Sequence, residues 1–313
     1  MSKIKVLRVN AAAKINLHLE VLGLRGDGFH ELAMVMQSIN LFDQLELKAR
    51  NDSEIKLDTD KEGLATNEEN LIIKAAQKLI KKSGRSSTLG ADIYLKKRIP
   101  IGAGLAGGSS DGAATLIGLN ILWDLGFSIH ELENFAGELG SDMPFCLKGG
   151  TQLCFGRGEK LEPQRIQNSS IGVLLVKDPL ISISTPWAYK RYREINETKY
   201  LKSEHEFELK RDCLRNEKYI RNLGGNSIFK IRNDLQQVVA PEIDAVKKSL
   251  KFLRSLPNTL AVSMSGSGPS CFALYSDFNK ANQALNNHKE AIANAGLQSW
   301  SCSFTANGIS WEK

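Results

Sequence analysis

From Ile15 to Val21 apolar and polar positions alternate: Ile15, Leu17, Leu19 and Val21 share one face, Asn16, His18 and Glu20 the other. A period of two belongs to a half-buried β-strand, and residues 5–22 predict two strands. β-Forming apolar residues continue over 32–47, and 54–57 adds a short strand. From Asn70 to about Ser83 the period becomes helical, with Leu71, Ala75, Leu79 and Ile80 as the apolar stripe and the lysines facing out. Residues 93–99 alternate again as a strand, and 113–125 is a long apolar run that reads as a helix. Ser128 and Glu131 form a capping box for another helix, ending near Gly140. Residues 151–155 return as a strand, and Gly156 and Gly158 close the first half.

The second half opens on 172–177, a continuous apolar strand. Residues 182–190 read as a loop turning into a helix with Pro186 at its first position. From 191 to 230 the chain is highly charged and poor in aliphatics, with Gly224-Gly225-Asn226 near its end. Such a segment predicts a surface insertion, helical in part and mobile. A helix over 241–254, strands at 260–264 and 271–275, a helix over 279–295 and a strand near 300–304 follow. That order suits a small α+β sandwich.

At 313 residues the chain is long enough for one large domain or two ordinary ones, and for a substantial core. Hydrophobic and charged fractions of 42% and 24% are those of a globular protein. A formal charge of +6 suits an anionic small molecule. No arginine-rich tract or nucleic-acid motif is present, so no nucleic-acid partner is expected. No run approaches the roughly 18 apolar residues of a membrane span, and residues 1–10 lack the apolar core of a signal peptide. The five cysteines are scattered without a C-x-x-C pair, which argues against a disulfide framework or zinc site and for a reducing compartment. The expectation is a cytoplasmic protein, or one in a plastid-stroma-like compartment after loss of a transit peptide, acting as a monomer or homodimer.

The chemistry concentrates in Pro100-Ile101-Gly102-Ala103-Gly104-Leu105-Ala106-Gly107-Gly108-Ser109-Ser110, between a predicted strand and a predicted helix. Five glycines lie between Gly102 and Gly112, more than a simple turn needs. A glycine-rich loop opening a helix lets backbone N–H groups approach an anion, and the helix dipole favours negative charge there. Ser109 and Ser110 are placed to cap the helix and to donate hydroxyls to phosphate. Gly102, Gly104 and Gly107 satisfy the dinucleotide fingerprint, but the capping box at 128–131 stands where its second strand and acidic residue belong. No Gly-Lys pair exists for a Walker loop, and the protein-kinase signatures are absent.

Outside the loop, Lys14 and Asn16 share a strand face, a cation and an amide suited to phosphate transfer; the plainer reading of Lys14 is a solvated edge residue. Phe29-His30 follows a turn with three glycines and an aspartate, and offers either core packing or an aromatic platform beside an imidazole, fit for a flat base. Asp142 lies between Gly140 and Pro144, a proline that disfavours helix at Met143; alone it reads as a turn residue.

Three stretches, Ala13-Lys14-Ile15-Asn16-Leu17, the 100–110 loop and Ser265-Gly266-Ser267-Gly268-Pro269-Ser270, together resemble the small-molecule kinases acting on galactose, homoserine, mevalonate and phosphomevalonate, the GHMP kinases. The 25–30 turn, the 140–145 stretch and Asn233-Asp234-Leu235 are similar to the branch of that superfamily whose substrate is 4-diphosphocytidyl-2-C-methyl-D-erythritol. The resemblance implies an α+β fold in two domains: an N-terminal ribosomal-protein-S5-like α/β domain over 1–165 for ATP and catalysis, and a C-terminal ferredoxin-like α+β sandwich over 166–313 for substrate, with the 191–230 insertion. It implies ATP and Mg²⁺ as cofactors, Asp142 as catalytic base with Lys14 as partner, and residues 100–110 on the ATP phosphates with Asn70 near the adenine. Asn16, Phe29, His30, Thr185 and Tyr189 would meet substrate, its cytosine between the rings of Phe29 and Tyr189. The branch usually has Tyr at position 29; Phe keeps the ring and loses the hydroxyl. The protein ligands of Mg²⁺ are not specified by the motif. Another kinase of the superfamily, or a nucleotide-binding homologue without turnover, is the alternative.

Overall fold

The computed structural model describes residues 5–85, 89–165, 170–216 and 231–312. Two sheets organise it. The first is built on a long hairpin, β1 (Val6–Leu24) and β2 (His30–Arg50). β1 is one strand, not two: the alanine run at 11–13 that interrupts the alternation is absorbed by a register shift between Ala12 and Ala13. A second shift between Asn16 and His18 turns the strand's faces over, so Ile15 and Leu17 belong to one apolar cluster and Leu19 to the other. β3 (Ile55–Thr59), β4 (Gly90–Lys96), β5 (Thr151–Gly156) and β6 (Lys160–Gln164) join β2 directly or through a neighbour. Two further strands come from late in the chain: β8 (Arg232–Asn233) runs parallel to β1, and β12 (Ile309–Glu312) pairs antiparallel with it, making eight strands among the described residues. Neither was read from the sequence.

The second sheet orders its antiparallel strands as β11 (Gln298–Ser303), β7 (Gly172–Lys177), β10 (Cys271–Tyr275) and β9 (Ala261–Met264). In chain order that is last, first, third, second, the expected ferredoxin-like arrangement. One core cluster joins Ile15, Val35 and Ile39 of the first sheet to Val173, Leu175 and Phe272 of the second, so the sheets share apolar packing. The other cluster holds the first sheet's opposite face against α1 (Leu71–Ser83), α2 (Gly107–Leu122), α3 (Ile129–Leu139) and α4 (Met143–Lys148). α2 is buried along most of its length and lies so close to β1 and β2 that a Cβ on Gly118 would sit 2.3 Å from the Leu47 side chain.

Several element expectations are corrected. α2 begins at Gly107, not 113, because Ala106 at φ 56° starts the helix inside the glycine run. Met143 is helical after all: Pro144 occupies the first turn of α4, where its missing N–H costs nothing. The helix read over 241–254 is two, α7 (Gln236–Glu242) and α8 (Asp244–Ser255), with Ile243 extended between them. That read over 279–295 is also two, α9 (Phe278–Asn287) and α10 (Lys289–Asn294). The described part of the charged segment is helical in part and largely exposed, as expected, but it also packs against the fold. α5 (Thr185–Asn196) starts one residue before Pro186, a 3₁₀ turn covers Glu197–Lys199, and α6 (Glu204–Asn216) buries Phe207, Arg211 and Leu214. Its Gly224-Gly225-Asn226 turn lies outside the described residues. All five cysteines are unpaired.

Candidate active site

Lys14 reaches the site because β1 alternates: its neighbours Ala13 and Ile15 are in the inter-sheet cluster, so Lys14 and Asn16 face the other way. There the Lys14 ammonium donates to Asn16 Oδ1 at 2.7 Å and lies 3.5 Å from Asp142 Oδ2. The Lys14 side chain is 5% exposed and that of Asp142 32%, so a buried cation backs a carboxylate that opens onto space. That space is a cavity of about 1050 Å³. Asp142 stands immediately before α4, where the chain leaves α3 at Gly140.

The glycine loop forms another wall. Gly102 and Gly104 have φ of 60° and 72°. At Gly104 close approach also forbids a side chain: a Cβ would meet the Ser265 carbonyl oxygen at 2.2 Å. The loop is tied on both sides, by Lys14 N to Leu105 O at 3.1 Å and by Ser265 Oγ donating to Gly104 O at 2.9 Å. Asn233, which sequence reading gave no role, donates to Met264 O and Gly266 O and so fixes the 265–270 turn. The first helical bond of α2 runs from Ser110 N to Ala106 O. The amides of Gly107, Gly108 and Ser109 therefore precede the helical ladder and border the cavity, the arrangement that favours an anion.

The expected loop residues do not all face it. Pro100, Ile101, Gly102, Ala103, Gly104, Ala106, Gly107, Gly108 and Ser109 line the cavity, whereas Leu105 and Ser110 point into the protein. Ser110 Oγ is fully buried and donates to Ala12 O at 2.7 Å. Neither serine caps α2, whose cap position is Ala106 without a side-chain bond. Asn70 borders the cavity, but its amide is spent on α1: Oδ1 accepts from Ile72 N and Nδ2 donates to Ala65 O.

At the far end Phe29, His30, Thr185 and Tyr189 all line the same cavity. The two expected sandwich rings do not face each other alone. The Arg157 guanidinium lies over Phe29 at 4.8 Å, and His30 stacks on Tyr189. Burial, reinforced by Arg193, holds the His30 imidazole below its ordinary range. Burial pushes the Tyr189 phenol up, so it stays protonated. Thr185 bonds Ser267 across 2.9 Å, joining α5 to the 265–270 turn.

Sequence reading missed Lys97, Asp111, Arg157, Lys190 and Arg193 on the cavity wall. Lys97 lies under the loop, where a Cβ on Gly107 would meet its ammonium at 3.1 Å. It pairs with Asp43 and with Asp111 at 2.6 Å, all three side chains nearly dry. Burial raises the Asp111 carboxyl well above the ordinary range against the pull of Lys97, and its Oδ1 has no hydrogen-bond partner. The Lys96-Lys97-Arg98 run reads as charges at a strand's end, and nothing in it marks the central lysine as buried.

Fold, loop and facing pair define a class of small-molecule kinase. The GHMP kinases N terminal domain matches residues 70–150 and the GHMP kinases C terminal domain matches residues 209–294. The chain is 58% identical over 98% of its length to a 4-diphosphocytidyl-2-C-methyl-D-erythritol kinase of Prochlorococcus marinus (strain MIT 9313), covering 96% of that protein. It is 55% identical over 97% of its length to the kinase of the same name from Synechococcus sp. (strain CC9605), covering 99% of it. A crystal structure of 4-(cytidine 5'-diphospho)-2C-methyl-D-erythritol kinase superposes with a TM-score of 0.74 at 28% identity, over 95% of this chain and 98% of that one. The chain belongs to the GHMP kinases, and within them to the family of 4-diphosphocytidyl-2-C-methyl-D-erythritol kinases.

Proposed function

We propose that this protein transfers the γ-phosphoryl group of ATP to the 2-hydroxyl of 4-diphosphocytidyl-2-C-methyl-D-erythritol, in the non-mevalonate route to isoprenoid precursors. The observation that carries the assignment of roles is the Lys14–Asp142 pair, 3.5 Å apart, opening onto the cavity that the glycine loop borders. Phosphoryl transfer needs positioning, charge stabilisation and a base for the attacking hydroxyl. Asp142 accepts the proton of the tertiary hydroxyl as its oxygen attacks the γ-phosphorus and ADP departs. Lys14, steered by Asn16, orients the Asp142 carboxylate from 3.5 Å and offsets charge on the transferring oxygens. The amides of Gly107, Gly108 and Ser109 hold the nucleotide phosphates. Phe29, His30 and Tyr189 hold the cytosine, and Thr185 the adjoining part of the substrate.

Mg²⁺ fits the donors present. Asp111 has a buried carboxylate oxygen without a partner on the cavity wall, and the Asp142 carboxylate is open. These two are the residues that would hold it, and the ion would neutralise phosphate charge. Ser110 is not available, its hydroxyl being committed to Ala12. Five unpaired cysteines suit a reducing cytoplasm. Among the described residues no helix is long and apolar enough to cross a membrane.

The test is ADP release by purified protein given ATP, Mg²⁺ and the cytidyl alcohol, with homoserine and mevalonate as controls. Release with the cytidyl alcohol alone is expected. Release only with a control moves the chain to another branch of the superfamily, and nucleotide binding without release marks it as a non-catalytic homologue.

A further inference from the structure

The described part of the charged segment that sequence reading sets aside as an insertion packs beside the turn end of the β1–β2 hairpin, which carries Phe29 and His30. Leu201 N donates to Leu22 O at 2.9 Å, and a Cβ on Gly23 would meet Leu201 O at 2.6 Å and the Phe207 ring at 3.0 Å. Tyr200 sets its edge against the His30 ring at 5.7 Å. Beneath this contact lies Glu31, the neighbour of His30 and 2% exposed. One of its carboxylate oxygens accepts from Arg211 of α6 at 2.6 Å and from Gly156 N at 3.0 Å; the other accepts from Arg25 at 2.8 Å. Arg25 opens the turn and also bonds Asp27, whose carboxylate accepts from Phe29 N at 3.1 Å. An unbroken chain of charge-assisted bonds therefore runs from α6 through Glu31 to the backbone of Phe29.

We propose that Arg211 is a positioning residue: through Glu31 and Arg25 it fixes the turn that presents Phe29 and His30, and so sets affinity for the nucleobase end of the substrate. Stability alone is a poor reason for this arrangement. Arg211 is 5% exposed and its Nε has no hydrogen-bond partner, and a buried ion pair is often no more stabilising than apolar residues of the same volume. What the network supplies is a fixed direction for planar, bidentate groups, which a packed aliphatic cannot give. Arg211 touches neither the Lys14–Asp142 pair nor the glycine loop in any bond of the network, so its effect is confined to the base-holding end.

The inference rests on the proposed cytidyl substrate, and the two fail differently. Wild-type protein that does not phosphorylate the cytidyl alcohol refutes the substrate; the comparison of variants is then void of meaning for catalysis but is still read by calorimetric binding of CDP. With active wild type, R211M is expected to raise KM for the cytidyl alcohol about tenfold while kcat and KM for ATP stay within about twofold, and R211K, which keeps the charge but not the planar fork, to recover only part of the loss. A merely structural arginine would lower active fraction and melting temperature without this split between the two substrates. R25M acts on the other side of Glu31 from a more exposed position, so it gives the same reading if R211M does not fold. The R25M/R211M pair is expected to be less than additive, since both break one chain. Unchanged KM for the cytidyl alcohol in folded R211M, or in R25M, overturns the proposal, as does a loss shared equally by both substrates.

Discussion

His30 and Tyr189 stack at a ring-centroid distance of 5.1 Å and an interplanar angle of 24°. One ring comes from the first residue of β2, the other from α5, so this end of the cavity is assembled by both halves of the chain. Stacking of a base on an aromatic ring contributes about 1–3 kcal/mol. Tyr189→Ala should therefore raise KM for the cytidyl substrate by roughly 5- to 150-fold with little change in KM for ATP, while Tyr189→Phe stays close to wild type. Steady-state kinetics with each substrate varied in turn checks this; equal effects on both would remove Tyr189 from the base-binding role.

The buried His30 ring also makes a pH prediction. Burial and Arg193 lower its folded-state pKa from the ordinary 6.5. As pH falls below that ordinary value the unfolded chain takes the proton first, so His30's contribution to stability is present above it and is lost as pH falls toward the lowered folded value. Protonation also removes the one acceptor a neutral imidazole offers a base. Melting temperature followed between about pH 7.5 and 5 should drop more steeply for wild type than for His30→Gln. Parallel curves would show that the ring carries no such linkage.

Asp142→Asn should lower turnover by about 10²–10⁴-fold, the usual contribution of a general base. The amides of the glycine loop are untouched, so ATP affinity measured by calorimetry without Mg²⁺ should remain near wild type. Near-normal turnover in the variant would assign the base elsewhere.

Gly104→Ala tests the loop. The position has φ of 72°, and the added methyl would meet Ser265 O at 2.2 Å. The left-handed strain costs about 1–3 kcal/mol before the clash is relieved. The melting temperature should fall by several degrees, and nucleotide binding should weaken more than that loss of folded protein accounts for. Weakened stability with intact nucleotide affinity would mean that the 100–108 backbone shape is structural only.

Lys97→Met strands the Asp43 and Asp111 carboxylates in a dry site, their shared cation gone. Removing one partner of a buried ionic cluster typically costs about 3–5 kcal/mol. Denaturant unfolding should show a loss of that order. The triple change Lys97→Met, Asp43→Asn, Asp111→Asn should be milder, because no uncompensated charge is left behind.

The capping box at Ser128, the central strands and the glycine loop were legible because each is a local pattern; the alternation over 15–21 marked a strand but not its faces, since the shift between Asn16 and His18 puts Leu19 and Val21 opposite Ile15 and Leu17. So were Lys14 and Asn16, since strand parity alone puts them together. Other features depend on what a residue meets far along the chain. β8 and β12 are too short to carry a pattern and exist through pairing with β1. Burial of Lys97 follows from the approach of Asp43 and Asp111, separated from it by 54 and 14 positions. Composition misled at α6: its charge reads as solvated, yet Arg211 and Leu214 face inward, and Glu204 and Glu208 are partners of Arg211 on the same helix.

β12 lies against Arg8 to Ala11 of β1, with Trp311 opposite Val9. A strand at residues 309–312 thus completes a sheet founded on a strand at residues 6–24. Until β12 docks, β1 has an unsatisfied edge, and its amides and carbonyls there are open to pairing with any other extended segment. Closing that edge means joining segments about 300 residues apart, a slow, non-local step. Lys14 sits on the same strand, three residues beyond Ala11, so the segment that closes this edge also backs the strand that carries the lysine facing Asp142.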